Sequence, residues 1–144
     1  MKKRMATYDD ANLILKLYDM RREPRLREAR KWFVASFKVK TYEELMALCP
    51  PGSEPNASYR MVVTYWELVA TFITSGILHE ELFFKSGREL ALCWERVRDI
   101  VPEVRAQLKN PIEWKNLEIA AKAYAKWWNW QAPGAYDAFA KRIR

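Results

Sequence analysis

Tyr59-Arg-Met-Val-Val-Thr-Tyr-Trp-Glu-Leu-Val-Ala-Thr-Phe-Ile-Thr-Ser-Gly76, followed by Ile77-Leu78, decides the fold. From Met61 to Leu78 the stretch carries one charge, Glu67. Its apolar residues do not keep to one stripe. Met61, Val62, Tyr65, Trp66, Leu68, Val69, Phe72 and Ile73 run most of the way round a helix, and a helix that is apolar nearly all round is buried on most sides. The stretch reads as a central helix over about residues 59–75, with Glu67 placed where a charge is costly. Glu67 is therefore expected to be a buried polar centre bonded to a hydroxyl or a basic group, with Arg22, Arg25, Arg60, Arg98 and Arg105 as candidates. That charge and four Thr/Ser residues argue against membrane insertion of the segment.

On the N-terminal side, Cys49-Pro-Pro-Gly-Ser-Glu-Pro-Asn56 reads as a Pro-rich loop over 49–56. Thr41-Tyr-Glu-Glu44 is a capping box that opens a short helix. Before it, Leu26, Ala29, Phe33 and Phe37 recur at helical spacing. Leu13, Ile14, Leu17 and Tyr18 form an earlier stripe behind a Thr7 cap with Asp9 and Asp10 in the first turn. Pro24 divides the two stretches or kinks them. Residues 1–6 read as a basic tail.

On the C-terminal side, Gly76 supplies a left-handed cap and His79–Phe84 a short helical turn. Ser86-Gly-Arg-Glu89 looks like a second capping box. Leu90, Trp94, Val97, Val101, Val104 and Leu108 keep phase across Pro102, which predicts one kinked helix. Asn110-Pro-Ile-Glu113 predicts another helix start, with Trp114, Leu117, Ala121, Tyr124 and Trp128 on its apolar face. Ala132-Pro-Gly134 ends it, and Tyr136 and Phe139 predict a last short helix. The expected fold is all-α, an irregular bundle of five to seven helices in a single domain spanning 1–144.

Composition narrows the function classes. Half of the residues are hydrophobic and 14% aromatic, so disorder is excluded for most of the chain. The net charge of +7 resides entirely in residues 1–40, which hold twelve Lys/Arg against five Asp/Glu. Cys49 and Cys93 show no metal-ligand spacing and fit a reduced, cytoplasmic protein. One histidine excludes a two-His metal site, and no phosphate-loop or nucleophile-elbow motif is present. No cofactor is expected. Enzyme chemistry would fall to Glu67, His79, Glu80, Glu81, Cys49 or Cys93, with a buried Glu67 as acid or base.

Two stretches carry interaction signals. Arg21-Arg-Glu-Pro-Arg-Leu-Arg-Glu-Ala-Arg-Lys31 offers Arg21, Arg22, Arg25, Arg27, Arg30 and Lys31 as a cluster able to grip phosphates, or as a solvated helix face partly neutralised by Glu23 and Glu28. At the other end, one helical face cannot bury Trp127, Trp128 and Trp130 together. Trp127 and Trp130 are therefore candidates for an association surface, unless the last helix folds back over them.

Tyr65-Trp-Glu67, Gly76-Ile-Leu-His-Glu-Glu-Leu-Phe83 and Trp94-Glu through Val101-Pro102 to Arg105 resemble the pattern of a bacterial domain-of-unknown-function family of small all-helical proteins. The resemblance covers about residues 59–106. It implies a helical fold and no particular activity. Members of that family often carry an N-terminal membrane segment, which this chain is expected to lack. The leading expectation is a non-enzymatic protein-interaction module with a protein partner or as a homodimer. The alternatives are nucleic-acid binding through the basic N-terminal region and an enzyme built on Glu67.

Overall fold

The computed structural model describes residues 4–144. Among them are nine α-helices and no strand: α1 (Tyr8–Arg21), α2 (Pro24–Ser36), α3 (Tyr42–Leu48), α4 (Glu54–Thr74), α5 (Glu80–Phe84), α6 (Arg88–Val97), α7 (Val101–Leu108), α8 (Lys115–Gln131) and α9 (Ala135–Ile143). The all-α reading holds. The count exceeds five to seven because α5 stands as its own short helix and the stretch from 88 to 108 is two helices.

The central helix is α4, and it packs most extensively against α8 on one side and α2 on another. Only a narrow strip containing Arg60, Thr64 and Leu68 faces solvent. Phe33, Phe37 and Tyr59 stack at centroid separations of 4.7 and 5.1 Å and join α2 to α4. Trp66, Val63 and Val69 are fully buried beside them, and complete burial of such side chains contributes roughly 1.5–3 kcal/mol each. α6 then lies against α4, α8 and α9 and closes the core.

Several helix starts follow local chemistry. Thr7 and Asp10 form a reciprocal box: the Thr7 hydroxyl accepts the Asp10 N–H, and the Asp10 carboxylate accepts the Thr7 N–H at 2.7 Å. Pro24 opens α2, and the Glu23 side chain accepts the N–H groups of Arg25 and Leu26. Thr41 caps α3 by accepting the Glu44 N–H, while the Glu44 carboxylate accepts the Lys40 N–H, so only half of the expected box forms. Gly76 adopts φ +76° just past α4, where a side chain would be strained.

Four expectations are corrected. The Pro-rich loop is shorter than 49–56, because Ser53 caps α4 and Pro55 lies in its first turn, where no N–H is needed. The helix across Pro102 is not continuous. It breaks at Arg98–Ile100, and Pro102 sits in the first turn of α7. Pro111 lies in a turn rather than opening a helix, and α8 starts only after Trp114 in a left-handed conformation. Ser86 does not cap α6; Gly87 occupies that position without a side-chain bond.

Residues 1–3 of the expected basic tail lie outside the described residues. Arg4 is no part of a free tail. Its guanidinium makes a bidentate pair with Asp10, 2.7 Å on both oxygens, and also donates to the Ile77 carbonyl. The Asp10 carboxylate is buried and accepts the His79 N–H as well. Arg4, with these amides, holds that carboxyl well below the usual range. Among the described residues no helix is long and apolar enough to cross a membrane.

Candidate anion-binding clefts

The arginine-rich face of α2 meets the start of α6 at Glu89. Arg30 donates from Nε at 2.9 Å and from Nη2 at 2.7 Å to the two oxygens of that carboxylate, and Nη1 donates to the Arg21 carbonyl at 3.1 Å. Arg21 reaches the same carboxylate from the end of α1. Its guanidinium lies 5.2 Å from the Trp66 ring and 5.3 Å from the Tyr18 ring, so cation–π contacts fix its plane. The Arg21 Nε is buried and lacks a hydrogen-bond acceptor.

Glu89 and Val34 form the divide between two clefts. One, of about 430 Å³, is lined by Arg21, Lys85, Ser86, Arg88 and Leu92. The other, of about 540 Å³, is lined by Arg27, Arg30, Lys31 and Ala35. Six cationic side chains therefore line the pair of clefts around one carboxylate. A concave surface of one sign concentrates counter-charged ligands. Gly87 adds to the field indirectly. A Cβ there would meet Phe83 ring carbons at 2.2 Å, so the cap position stays glycine and the positive end of α6 is left without a side-chain acceptor.

The expected interaction residues divide accordingly. Arg21, Arg27, Arg30 and Lys31 come together here. Arg25 turns away to Glu54 and Ser58, at 2.6 and 3.1 Å, and Arg22 is exposed but lines neither cleft. Lys40 lies on another face near Asp99. The described basic residues of the N-terminal region thus do not converge on one surface. Sequence reasoning missed Lys85 and Arg88: Arg88 comes from a stretch read as a helix cap, and Lys85 directly precedes it.

Glu67 is half-buried rather than fully buried. Its partners are amides, not arginines or hydroxyls: the Asn116 side chain at 2.9 Å and the Leu117 N–H at 2.7 Å. It caps the first turn of α8, and both carboxylate oxygens are engaged. Trp127 is half-buried against Phe84 and Tyr124. Trp128 is covered by Tyr136 and Phe139 of α9. Trp130 alone of the three points outward, 78% exposed.

The other reactive groups are structurally occupied. His79 caps α5: its Nδ1 accepts the Leu82 N–H at 3.2 Å, and Nε2 bonds the Arg4 carbonyl at 2.9 Å. Cys49, at the start of the Pro-rich loop, is fully buried. Burial pushes its thiol up to about 11 and holds the Cys93 thiol well above its usual value, which disfavours thiolate chemistry. Among the described residues no cluster of three or more His, Cys, Asp or Glu could hold a metal ion.

Two buried charges gave no sequence signal. Arg96 donates from Nε to the Ile143 carbonyl at 2.7 Å and from Nη1 to the carbonyls of Phe33, Val34 and Phe37 at 2.9–3.1 Å. The ends of α2 and α9 thus supply its counter-charge. Glu95, 2% exposed, accepts the Tyr136 hydroxyl at 2.7 Å and Arg98 at 3.3 Å. Burial and this carboxylate hold the Tyr136 phenol well above its usual value. Both Glu95 and Tyr136 line a third cleft, of about 310 Å³, with Arg105, Glu118 and Lys122. There three cations, Arg98, Arg105 and Lys122, face two carboxylates, Glu95 and Glu118. The pair of clefts at Glu89 has the larger cationic surplus.

The sequence matches the family described as Domain of unknown function (DUF4760) over residues 6–127. The chain belongs to that family. The match extends well beyond residues 59–106 on both sides. No curated protein and no solved structure matches.

Proposed function

We propose that the chain is a non-enzymatic protein-interaction module that docks an acidic segment of a partner protein along the two clefts divided by Glu89. The observation that carries this reading is the gathering of six cationic side chains around one carboxylate. Arg30 already grips a carboxylate in a two-point geometry, which is the arrangement an acidic side chain would meet. Val34, 41% exposed between the clefts, gives an apolar contact suited to a peptide. Nucleic acid is a poorer fit, because the aromatic ring in the lining, Tyr124, is buried and not open to base stacking. Basic residues outside the clefts also face other directions. The buried, unbridged cysteines support a reducing location such as the cytoplasm.

The test is a fluorescence-anisotropy titration of a Glu/Asp-rich peptide with interspersed leucines, beside mixed-sequence single- and double-stranded oligonucleotides, at low and physiological salt. The peptide should bind, and the exposed pair R27E/K31E should weaken it by about tenfold or more. Oligonucleotides binding more tightly than the peptide would install the nucleic-acid reading instead. No binding of either at low salt would retire both.

Self-association is a second reading favoured by a different observation. Tyr8, Leu15 and Tyr18 fall on one face of α1 and are 85%, 64% and 54% exposed. Trp130 adds an outward ring at the other end of the chain, but Trp127 and Trp128 are committed to the fold. Sedimentation velocity of the parent chain and L15E decides it: a dimer lost in the variant supports this reading, and a monomer in both removes it.

A further inference from the structure

We infer that Glu89 is an internal stand-in for a phosphoryl group, and that the partner segment docks through a phosphorylated side chain that takes over Arg21 and Arg30. This rests on the interaction-module reading and names the partner's chemistry. Three guanidinium N–H groups from two arginines converge on the Glu89 carboxylate. Arg30 is also braced by the Arg21 carbonyl, and Arg21 is fixed between two rings. The donors are therefore positioned before any ligand arrives. That arrangement favours a ligand able to use it without further ordering.

The charge count points past a carboxylate. Arg21 and Arg30 share one negative charge, and exposed Lys85 and Arg88 line the same cleft as Arg21 and Glu89. Arg88 is stacked 5.5 Å over the Trp128 ring. A planar monoanion cannot answer all four cations. A phosphorylated serine or threonine carries nearly two charges and three acceptor oxygens, which suits a cleft that adds Lys85 and Arg88 to the arginine pair. The cleft of about 430 Å³ has room for such a side chain. The buried Arg21 Nε, without an acceptor, marks a guanidinium whose hydrogen-bonding capacity is incompletely used by Glu89.

The internal carboxylate then acts as a competitor, and this separates the inference from general acidic docking. The full chain is titrated with one acidic peptide in two forms, serine and phosphoserine, with inorganic phosphate and a mixed-sequence oligonucleotide as competitors. The phosphopeptide should bind about tenfold tighter than its unmodified twin. E89Q should tighten the phosphopeptide several-fold, since the competing charge is gone. K85A/R88A, both at exposed positions, should weaken it about tenfold while moving the serine peptide much less. Thermal melts of each variant identify any loss of fold, and K85A/R88A keeps the test decisive if E89Q unfolds.

Equal affinity for the two peptides would overturn the phosphoryl inference and leave acidic docking intact. Failure of both peptides would overturn the two together. Complete displacement of the phosphopeptide by low-millimolar inorganic phosphate would assign the site to a free anion instead. Displacement by oligonucleotide at sub-stoichiometric ratios would assign it to nucleic acid.

Discussion

The carboxylate of Glu67, halfway along α4, accepts the backbone N–H of Leu117 at 2.7 Å, fifty residues further on. Trp114 precedes α8 in a left-handed conformation and supplies no side-chain cap. The central helix thus caps its largest neighbour from outside, where a negative charge also complements the helix dipole.

Removing that carboxylate should destabilise the chain through α8. E67A is expected to cost about 2 kcal/mol and E67Q about 1 kcal/mol, since Gln keeps an acceptor but loses the charge. Urea denaturation measures both. A loss under about 0.5 kcal/mol for E67A would show that water replaces the cap without penalty.

Arg96 should be the least replaceable charge in the chain. R96M leaves the carbonyls at the ends of α2 and α9 without donors in a buried setting, with an expected loss of about 3 kcal/mol or more. R96K should recover less than half of it, because an ammonium cannot reproduce the guanidinium fork across four carbonyls. Chemical denaturation of the three proteins ranks them. Equal stability of R96K and parent would mean that charge alone matters.

Acid should release one defined contribution. Lys122 first, then Arg105, hydrogen-bond the Glu118 carboxylate and hold it down at about 2 from an ordinary 4.5. A carboxyl lowered in the folded state contributes stability that is fully present above its unfolded value and is lost as pH falls through the folded one. The stability gap between parent and E118Q should be constant above pH 4.5, then shrink as pH approaches 2. A gap that does not change across that window would place the contribution elsewhere.

Gly87 should reject even one methyl group. Ala is compatible with its backbone and would reduce unfolded-chain entropy, yet its Cβ would sit 2.2 Å from the Phe83 ring. G87A is expected to lose about 1–3 kcal/mol from overpacking, readable as a lower melting temperature. A neutral or stabilising outcome would mean that the Phe83 ring moves freely aside.

What the sequence disclosed was local. Thr7 with Asp10, Thr41 with Glu44, and Gly76 act within a few residues, so their spacing alone announces the helix ends they make. Ser86-Gly-Arg-Glu89 has the same spacing and a different outcome. Phe83 fills the space beside Gly87, and Arg21 and Arg30 draw Glu89 away from any capping role. Pro55 and Pro111 show how one residue type can mark either the first turn of a helix or a turn outside it.

The candidate site was half legible for a related reason. Arg21, Arg27, Arg30 and Lys31 are conspicuous because they fall close together in one basic stretch. Lys85 and Arg88 join them only through packing, and Arg96 finds its carbonyls 47 to 63 residues away. The C-terminal aromatics posed an open alternative that periodicity could not resolve; α9 settles it for Trp128 by lying over the ring.

The boundaries of the family match, residues 6–127, have a practical edge. Excision there would remove Arg4 and strand the buried Asp10 carboxylate without its counter-charge. It would also delete α9, and with it the Tyr136 hydroxyl on Glu95 and the Ile143 carbonyl on Arg96. The span that carries the family's signature is narrower than the span its own residues need. A fragment cut to that signature would be a poor reagent for asking what the family does.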